Sequence, residues 1–309
     1  MLYPAALLTV ALGAFVGARS RSGHALWGEA GHRITAQAAV ASLPSEMPQF
    51  FRDAAPQLAY LNPEPDRWRN RVESSRDAAL EGATAPDHFL DFEMIPEANR
   101  RSMLNAKDRY AFADSLRAWR VDPSVAGVLP YAMLELTQRM RVAFRQWRNA
   151  PNDTERGWIE ARIINDAGTL GHYVADGSNP AHTSIHYNGW AGANPNGYAT
   201  DTRFHGRFES AFVQTQVKLA DVAPSVVRTA TVFPALRPAI IAYFLQTHGD
   251  VERLYQLDKA APFNADNTTP ANKAFAVERL AAGATMLRDL WWTAWITSAP
   301  DSTAQPGRR

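Results

Sequence analysis

Apolar residues along this chain recur at spacings of three and four far more often than at two. Segments 30–43, 99–120, 129–148, 154–175, 202–219, 227–246 and 272–296 carry that rhythm, for example Ile163, Ala167, Leu170 and Val174. A period of 3.6 places such positions on one face, so each segment is expected to be a helix that buries a stripe. Alternating, strand-like segments are nearly missing. Pro44, Pro123, Pro151, Pro180 and Pro270 fall between the periodic segments, where a residue without an N–H interrupts no helix. Asp153 or Thr154 is placed to cap the helix that follows it. With no internal repeat and no low-complexity tract, the expected fold class is all-α, a single helical domain spanning 27–298.

The two ends read differently. Residues 2–17, LYPAALLTVALGAFVG, form an apolar run shorter than the roughly 20 residues that span a bilayer, followed by a small-residue exit at 23–25. Residues 1–26 are therefore expected to be a secretory signal peptide, and the protein secreted or periplasmic. Arg19 and Arg21 follow the run instead of preceding it, so an uncleaved anchor is the alternative. The tail 299–309, APDSTAQPGRR, is expected to be disordered.

Composition narrows the chemistry. The chain has 309 residues, 46% of them hydrophobic, and its 32 Lys and Arg against 31 Asp and Glu leave a net charge of +1. A strongly basic nucleic-acid coat is absent, so a phosphate-bearing substrate would have to be held locally. The absence of cysteine excludes disulfides and thiolate metal sites. Any zinc must bind through nitrogen and oxygen.

The stretch 170–209 supplies such atoms in quantity: His172, Asp176, His182, His205 and Glu209. On a helix, His172 with Asp176, and His205 with Glu209, would each share a face with Cβ atoms about 5–6 Å apart, which lets one divalent ion join the pair. Spacing alone is weak, because three of the eight histidines have an acid four places on. The third, His248 with Glu252, is followed by Gly249 and reads as a surface turn. The string GHYVADGSNPAH at 171–182 is less easily dismissed. A helical face carries His172 and Asp176, Gly177 and Pro180 are expected to break the helix, and His182 returns from the loop. Buried His and Asp side chains cluster mainly where they bind metals or each other; the alternative is a solvated helix end.

WGEAGHR at 27–33, Asp66, HFLDF from His88, HYVADGSNPAH and FHGRFES at 204–210 together resemble the zinc-dependent nuclease and phospholipase C superfamily, which includes the S-one/P-one type single-strand nucleases. The likeness runs in order along nearly the whole chain after residue 26. It implies an all-helical fold with a tri-zinc cleft. On that pattern the first Zn2+ would take Asp66, His88, His172 and Asp176, and Asp176 would bridge to a second held by Trp27 and His32. The third would sit among His182, His205 and Glu209. Trp27 would bind through its free α-amine and carbonyl oxygen, which ties the site to removal of the leader. A cut after Ala25 would leave Leu26 in front of it.

Imidazole and carboxylate suit zinc, and two ions about 3.5–4 Å apart lower the pKa of a shared water towards about 7 and present hydroxide to phosphorus. The third ion would stabilise charge on the leaving and phosphoryl oxygens. Asp66 is the candidate catalytic residue, orienting or deprotonating the water. The resemblance thus implies a zinc-dependent phosphodiester hydrolase. The short Trp27–His32 interval, the long 183–204 loop and Phe89 favour the nuclease branch, with single-stranded DNA or RNA as substrate. Glu209 and its FHGRFESAF context favour phospholipase C and a phospholipid. An exported zinc-binding module without catalysis is the third reading. Phe89 is the candidate substrate-binding residue, and Tyr187, Trp190 and Tyr198 are further planes for base stacking or a choline headgroup; for each of them ordinary packing is the simpler role. His186 reads as a loop histidine that only hydrogen-bonds. No protein partner is expected.

Overall fold

A computed structural model describes residues 28–300. Its framework is α1 (Gly28–Ala41), α2 (Ala55–Leu61), α3 (Glu64–Trp68), α4 (Leu129–Arg148), α5 (Asp153–Ser178), α6 (Leu236–Gly249) and α7 (Pro270–Ile296), joined by shorter helical turns. The described residues form one all-α domain without a β-strand, and no helix among them is long and apolar enough to cross a membrane. The apolar run at 2–17, Trp27 and residues 301–309 lie outside the described residues.

Helix α5 is the hub, touching α1, α2, α3, α4, α6 and α7. Its cap is Asn152, one residue before the expected position, whose Oδ1 accepts the Glu155 N–H at 2.9 Å. Nearly every residue of its second half is buried, polar and apolar alike, so this is a helix enclosed on all sides. Gly168 and Gly171 allow a close approach to the end of α2: a Cβ there would meet Leu61 Cβ and Asn62 Nδ2 respectively, each at 2.3 Å. Helix α5 also continues through Gly177, contrary to the expected break. The reason is again crowding, since a Cβ at 177 would lie 3.0 Å from Tyr243 of α6. Pro180 ends the helix instead, because the residue before a proline avoids α geometry, and Asn179 is extended.

Two other expected helices change form. The segment 99–120 divides at Asp108, whose Oδ1 accepts the Ala111 N–H at 2.9 Å and starts a new helix, Arg109–Ala118. The segment 227–246 is irregular until Leu236, because α7 takes several of its backbone groups. Thr285 Oγ1 accepts from Val227 N–H at 3.2 Å, Asp289 Oδ1 from Thr231 N–H at 3.0 Å and Thr293 Oγ1 from Phe233 N–H at 3.0 Å. The fully buried Arg288 donates to the Val227 and Thr229 carbonyls. With these three N–H and two C=O groups satisfied from outside, the segment loses much of the reason to coil.

At one end, Phe51, Phe144 and Trp291 form an aromatic core, the Phe51 ring lying 5.2 Å from Trp291 and 6.0 Å from Phe144. Elsewhere the α1–α5 layer encloses polar side chains, and that is where the candidate ligands are found.

Candidate metal centre

Seven elements bring the candidate ligands together. His32 comes from α1, Asp66 from α3, His88 from the turn Ala85–His88, and His172 and Asp176 from α5. His182 ends the turn Pro180–His182, while His205 and Glu209 come from Phe204–Gly206 and the following π-helical stretch Arg207–Phe212. A π-turn inside a helix is uncommon and recurs at functional sites. The expected uninterrupted helix over 202–219 is thus replaced by three short pieces around these two ligands.

Their donor atoms fall into three groups that could hold a metal ion: His32, His172 and Asp176; Asp66, His88 and His172; and His182, His205 and Glu209. Within each group the atoms lie within 4.8 Å of one another. Asp176 Oδ2 is 3.2 Å from His88 Nδ1 and 3.3 Å from His172 Nε2, and Asp176 Oδ1 is 3.6 Å from His32 Nε2. Asp66 faces both His32 and His172, at 3.9 and 4.0 Å. In the other group Glu209 Oε2 is 2.7 Å from His205 Nε2 and 3.6 Å from His182 Nε2. Asp176 links the groups, with Oδ2 3.8 Å from His182 Nδ1.

The donors fit a cation better than they fit each other. His172 Nε2 faces His88 Nδ1 at 2.9 Å, and His205 Nε2 faces His182 Nε2 at 3.2 Å. Two imidazole nitrogens can share at most one proton at such a distance. The side chains of Asp176 and Glu209 are wholly enclosed, and Asp176 Oδ1 has no hydrogen-bond partner. An isolated carboxylate so deeply buried costs several kcal/mol unless it is protonated or bound to a cation. A nitrogen and oxygen set of this kind suits zinc and related divalent ions.

Electrostatics point the same way. Burial, reinforced by the negative charge of Asp176, pushes Asp66 up to about 7, and burial holds Asp176 well above the usual carboxylate range. Burial drives His172 down to about 4 and His88 well below its ordinary value. Burial therefore favours the neutral form of His88 and His172 and the protonated form of Asp176. A divalent ion would exchange those protons for metal–ligand bonds. The Arg69 guanidinium adds a positive field that opposes the effect of burial on both acids.

The imidazoles are oriented from behind. His32 Nδ1 meets Asn62 Oδ1 at 3.0 Å, His182 Nδ1 the His88 carbonyl at 2.6 Å, and His205 Nδ1 the Tyr187 carbonyl at 2.9 Å. A proton on each Nδ1 leaves Nε2 as the lone-pair atom facing the centre. Asn179 completes this layer: its Nδ2 donates to Glu209 Oε2 at 3.2 Å and its Oδ1 accepts the Ala181 N–H at 3.0 Å. Sequence reasoning missed both Asn62 and Asn179. An Asn before Pro180 is at least a turn signal, whereas Asn62 has none.

The remaining expectations come out unevenly. Trp27 lies outside the described residues, but Gly28 comes against Ser210, beside Glu209; a Cβ on it would be 3.2 Å from Ser210 Cα. Phe89 is 5% exposed, so its ring belongs to the packed interior. Trp190 stacks on His186 at 3.9 Å, and buried Tyr198 donates its hydroxyl to Glu252 at 2.8 Å. These aromatics pack on one another. His186 does hydrogen-bond in its loop, its Nδ1 accepting the Ala191 N–H at 3.0 Å. His248 is not a solvated turn: it lies in α6, contacts the Thr183 carbonyl at 2.9 Å and packs on Phe92, while Glu252 turns to Tyr198.

No family model, no curated protein and no solved structure matches this chain. What stands is an all-helical domain with three buried His, Asp and Glu groups capable of holding metal ions.

Proposed function

We propose that this protein is an exported zinc-dependent phosphodiester hydrolase, and that its substrate is single-stranded nucleic acid. The observation that carries the reading is the convergence of three metal-capable groups, two of them sharing His172, on one deeply buried carboxylate, Asp176. Purely structural polar clusters are satisfied by hydrogen bonds or by Lys and Arg, whereas here imidazole nitrogens face each other.

His32, Asp66, His88, His172 and Asp176 would hold a pair of Zn2+ ions, with Trp27 as a further ligand, and His182, His205 and Glu209 a third. Bound there, the ions would supply Lewis acidity towards a phosphoryl group and an acidified water. Asp66 is suited to the proton transfer. It is the most open of the acids, with a side chain 20% exposed, so it can meet solvent as well as an ion. Asn62, the His88 carbonyl and the Tyr187 carbonyl keep three imidazoles in one tautomer throughout.

Phospholipase C is the second reading. It uses the same centre and is favoured by Glu209 where the nuclease branch carries aspartate. The experiment that decides is a parallel assay on single-stranded DNA, RNA, 3′-nucleotides and phosphatidylcholine, with and without chelator. Chelator-sensitive cleavage of nucleic acid supports the proposal, and cleavage of lipid alone moves the protein to the other branch. Metal uptake without any turnover leaves an exported zinc-binding module.

A further inference from the structure

The segment after His88 and the segment after His182 run side by side. Leu90 N–H donates to the His182 carbonyl at 2.9 Å and Phe92 N–H to the Thr183 carbonyl at 3.2 Å. Glu93 stands at the end of this short ladder. Ser184 Oγ donates to its Oε1 at 2.6 Å, and Ile185 N–H to its Oε2 at 3.1 Å. From the opposite side His248 Nδ1 contacts the Thr183 carbonyl at 2.9 Å, with Nε2 3.9 Å from Glu93 Oε1. Both carboxylate oxygens and one imidazole therefore close on the three residues that follow His182.

His182 needs such a hold more than the candidate ligands on long helices do. His32, His172 and Asp176 are carried on long helices, whose hydrogen-bond ladders fix them from both sides. His182 ends a three-residue turn and is followed by the irregular loop 183–203. A metal ligand must be held within about 0.5 Å of its working position, so the restraint has to come from neighbouring side chains.

We infer that Glu93 is a positioning residue whose carboxylate clasps residues 184 and 185 and thereby fixes His182 for the ion shared with His205 and Glu209. The inference rests on the metal-centre reading above. A carboxylate is suited to the task because it accepts from two donors at once. Glutamine would keep the reach, offering its oxygen to the Ile185 N–H and its amide to the Ser184 hydroxyl, which can turn and accept.

The test is a titration of the whole protein with Zn2+ against a competing chromogenic chelator, repeated with Co2+ to read each site's visible absorption. Glu93→Ala is expected to weaken one ion about 10- to 100-fold, the range for loss of a group that orients a ligand, and to alter one cobalt spectrum while the others stay as in the unmodified protein. Glu93→Gln should recover most of the loss. Glu93→Asp keeps the charge but falls one methylene short; it should show the same single-site loss and serves if the alanine variant does not fold. Unchanged affinity at every site in the alanine or aspartate variant overturns the inference, as does an equal loss at all sites. If the unmodified protein takes up no ion, the metal reading falls together with the clasp, whereas normal uptake by an unaffected variant removes the clasp alone.

Discussion

Asp176 contacts four imidazoles, those of His32, His88, His172 and His182, at 3.2 to 3.8 Å. Its role separates cleanly from stability. Burial holds its carboxyl well above the usual range and so favours the protonated form when no cation is present, for which asparagine is a close substitute in charge and shape. Asp176→Asn is therefore expected to leave the melting temperature of the chelated protein within a few degrees of the original while zinc affinity and turnover fall more than about 100-fold, beyond the usual effect of losing a mere orienting group. Calorimetry with and without zinc checks both halves. Asp66 and Asp176 together set the pH dependence. Burial raises both carboxyls, that of Asp66 to about 7, and each must lose its proton to bind, so zinc affinity is expected to fall at least tenfold per unit as pH drops below about 7. His172, at about 4, does not compete for protons in that range. Chelator competition at pH 6, 7 and 8 measures the slope; a flat profile would exclude Asp66 as a ligand. His172 with Asp176 and His205 with Glu209 were legible in sequence because a helix turns a spacing of four into proximity. Asn62, Asn179 and Glu93 were not, because nothing local marks a side chain whose partner lies far along the chain, as with Asn62 and His32.

At the scale of elements, α5 decides the site because it is both central and closely approached. Gly171 shows how narrow the tolerance is. A methyl at that position would meet Asn62 Nδ2 at 2.3 Å and Leu287 Cδ2 at 3.2 Å. Gly171→Ala is expected to cost about 1–3 kcal/mol through overpacking and to disturb His32 through Asn62. Gly157, in the first part of the same helix, faces open space, and a methyl there would meet nothing within 4 Å. Gly157→Ala is therefore expected to stabilise by about 0.5–1 kcal/mol through helix propensity alone. Denaturant melts of the two variants should move in opposite directions. The run before Leu236 is likewise decided from outside. Its sequence has helical spacing, yet Thr285, Arg288, Asp289 and Thr293 on α7 claim its backbone. Arg288→Leu strands the buried Asp289 and those carbonyls, with an expected loss of about 3–5 kcal/mol in the same melts.

At the scale of the whole molecule, so many ionisable groups are buried that cations held by the three metal-capable groups would complete the core. No cysteine is present to cross-link it, so ligand binding is the available reserve of stability. An ion that binds only the folded state adds about 2.7 kcal/mol at a hundredfold excess over its Kd. Chelation is accordingly expected to lower the melting temperature by several degrees and zinc to restore it, as read by scanning calorimetry; coincident curves would argue against bound metal. By itself the sequence determined the all-α class, most helix positions and the i, i+4 ligand pairs, because helical periodicity and the absence of cysteine are local facts. Tertiary structure alone decided that α5 runs through Gly177, that 227–235 stays non-helical, that Phe89 lies inside, and that His32, Asp66 and His88 meet the α5 pair. Those outcomes depend on which backbone groups and side chains distant elements supply, and spacing along a chain does not carry that information.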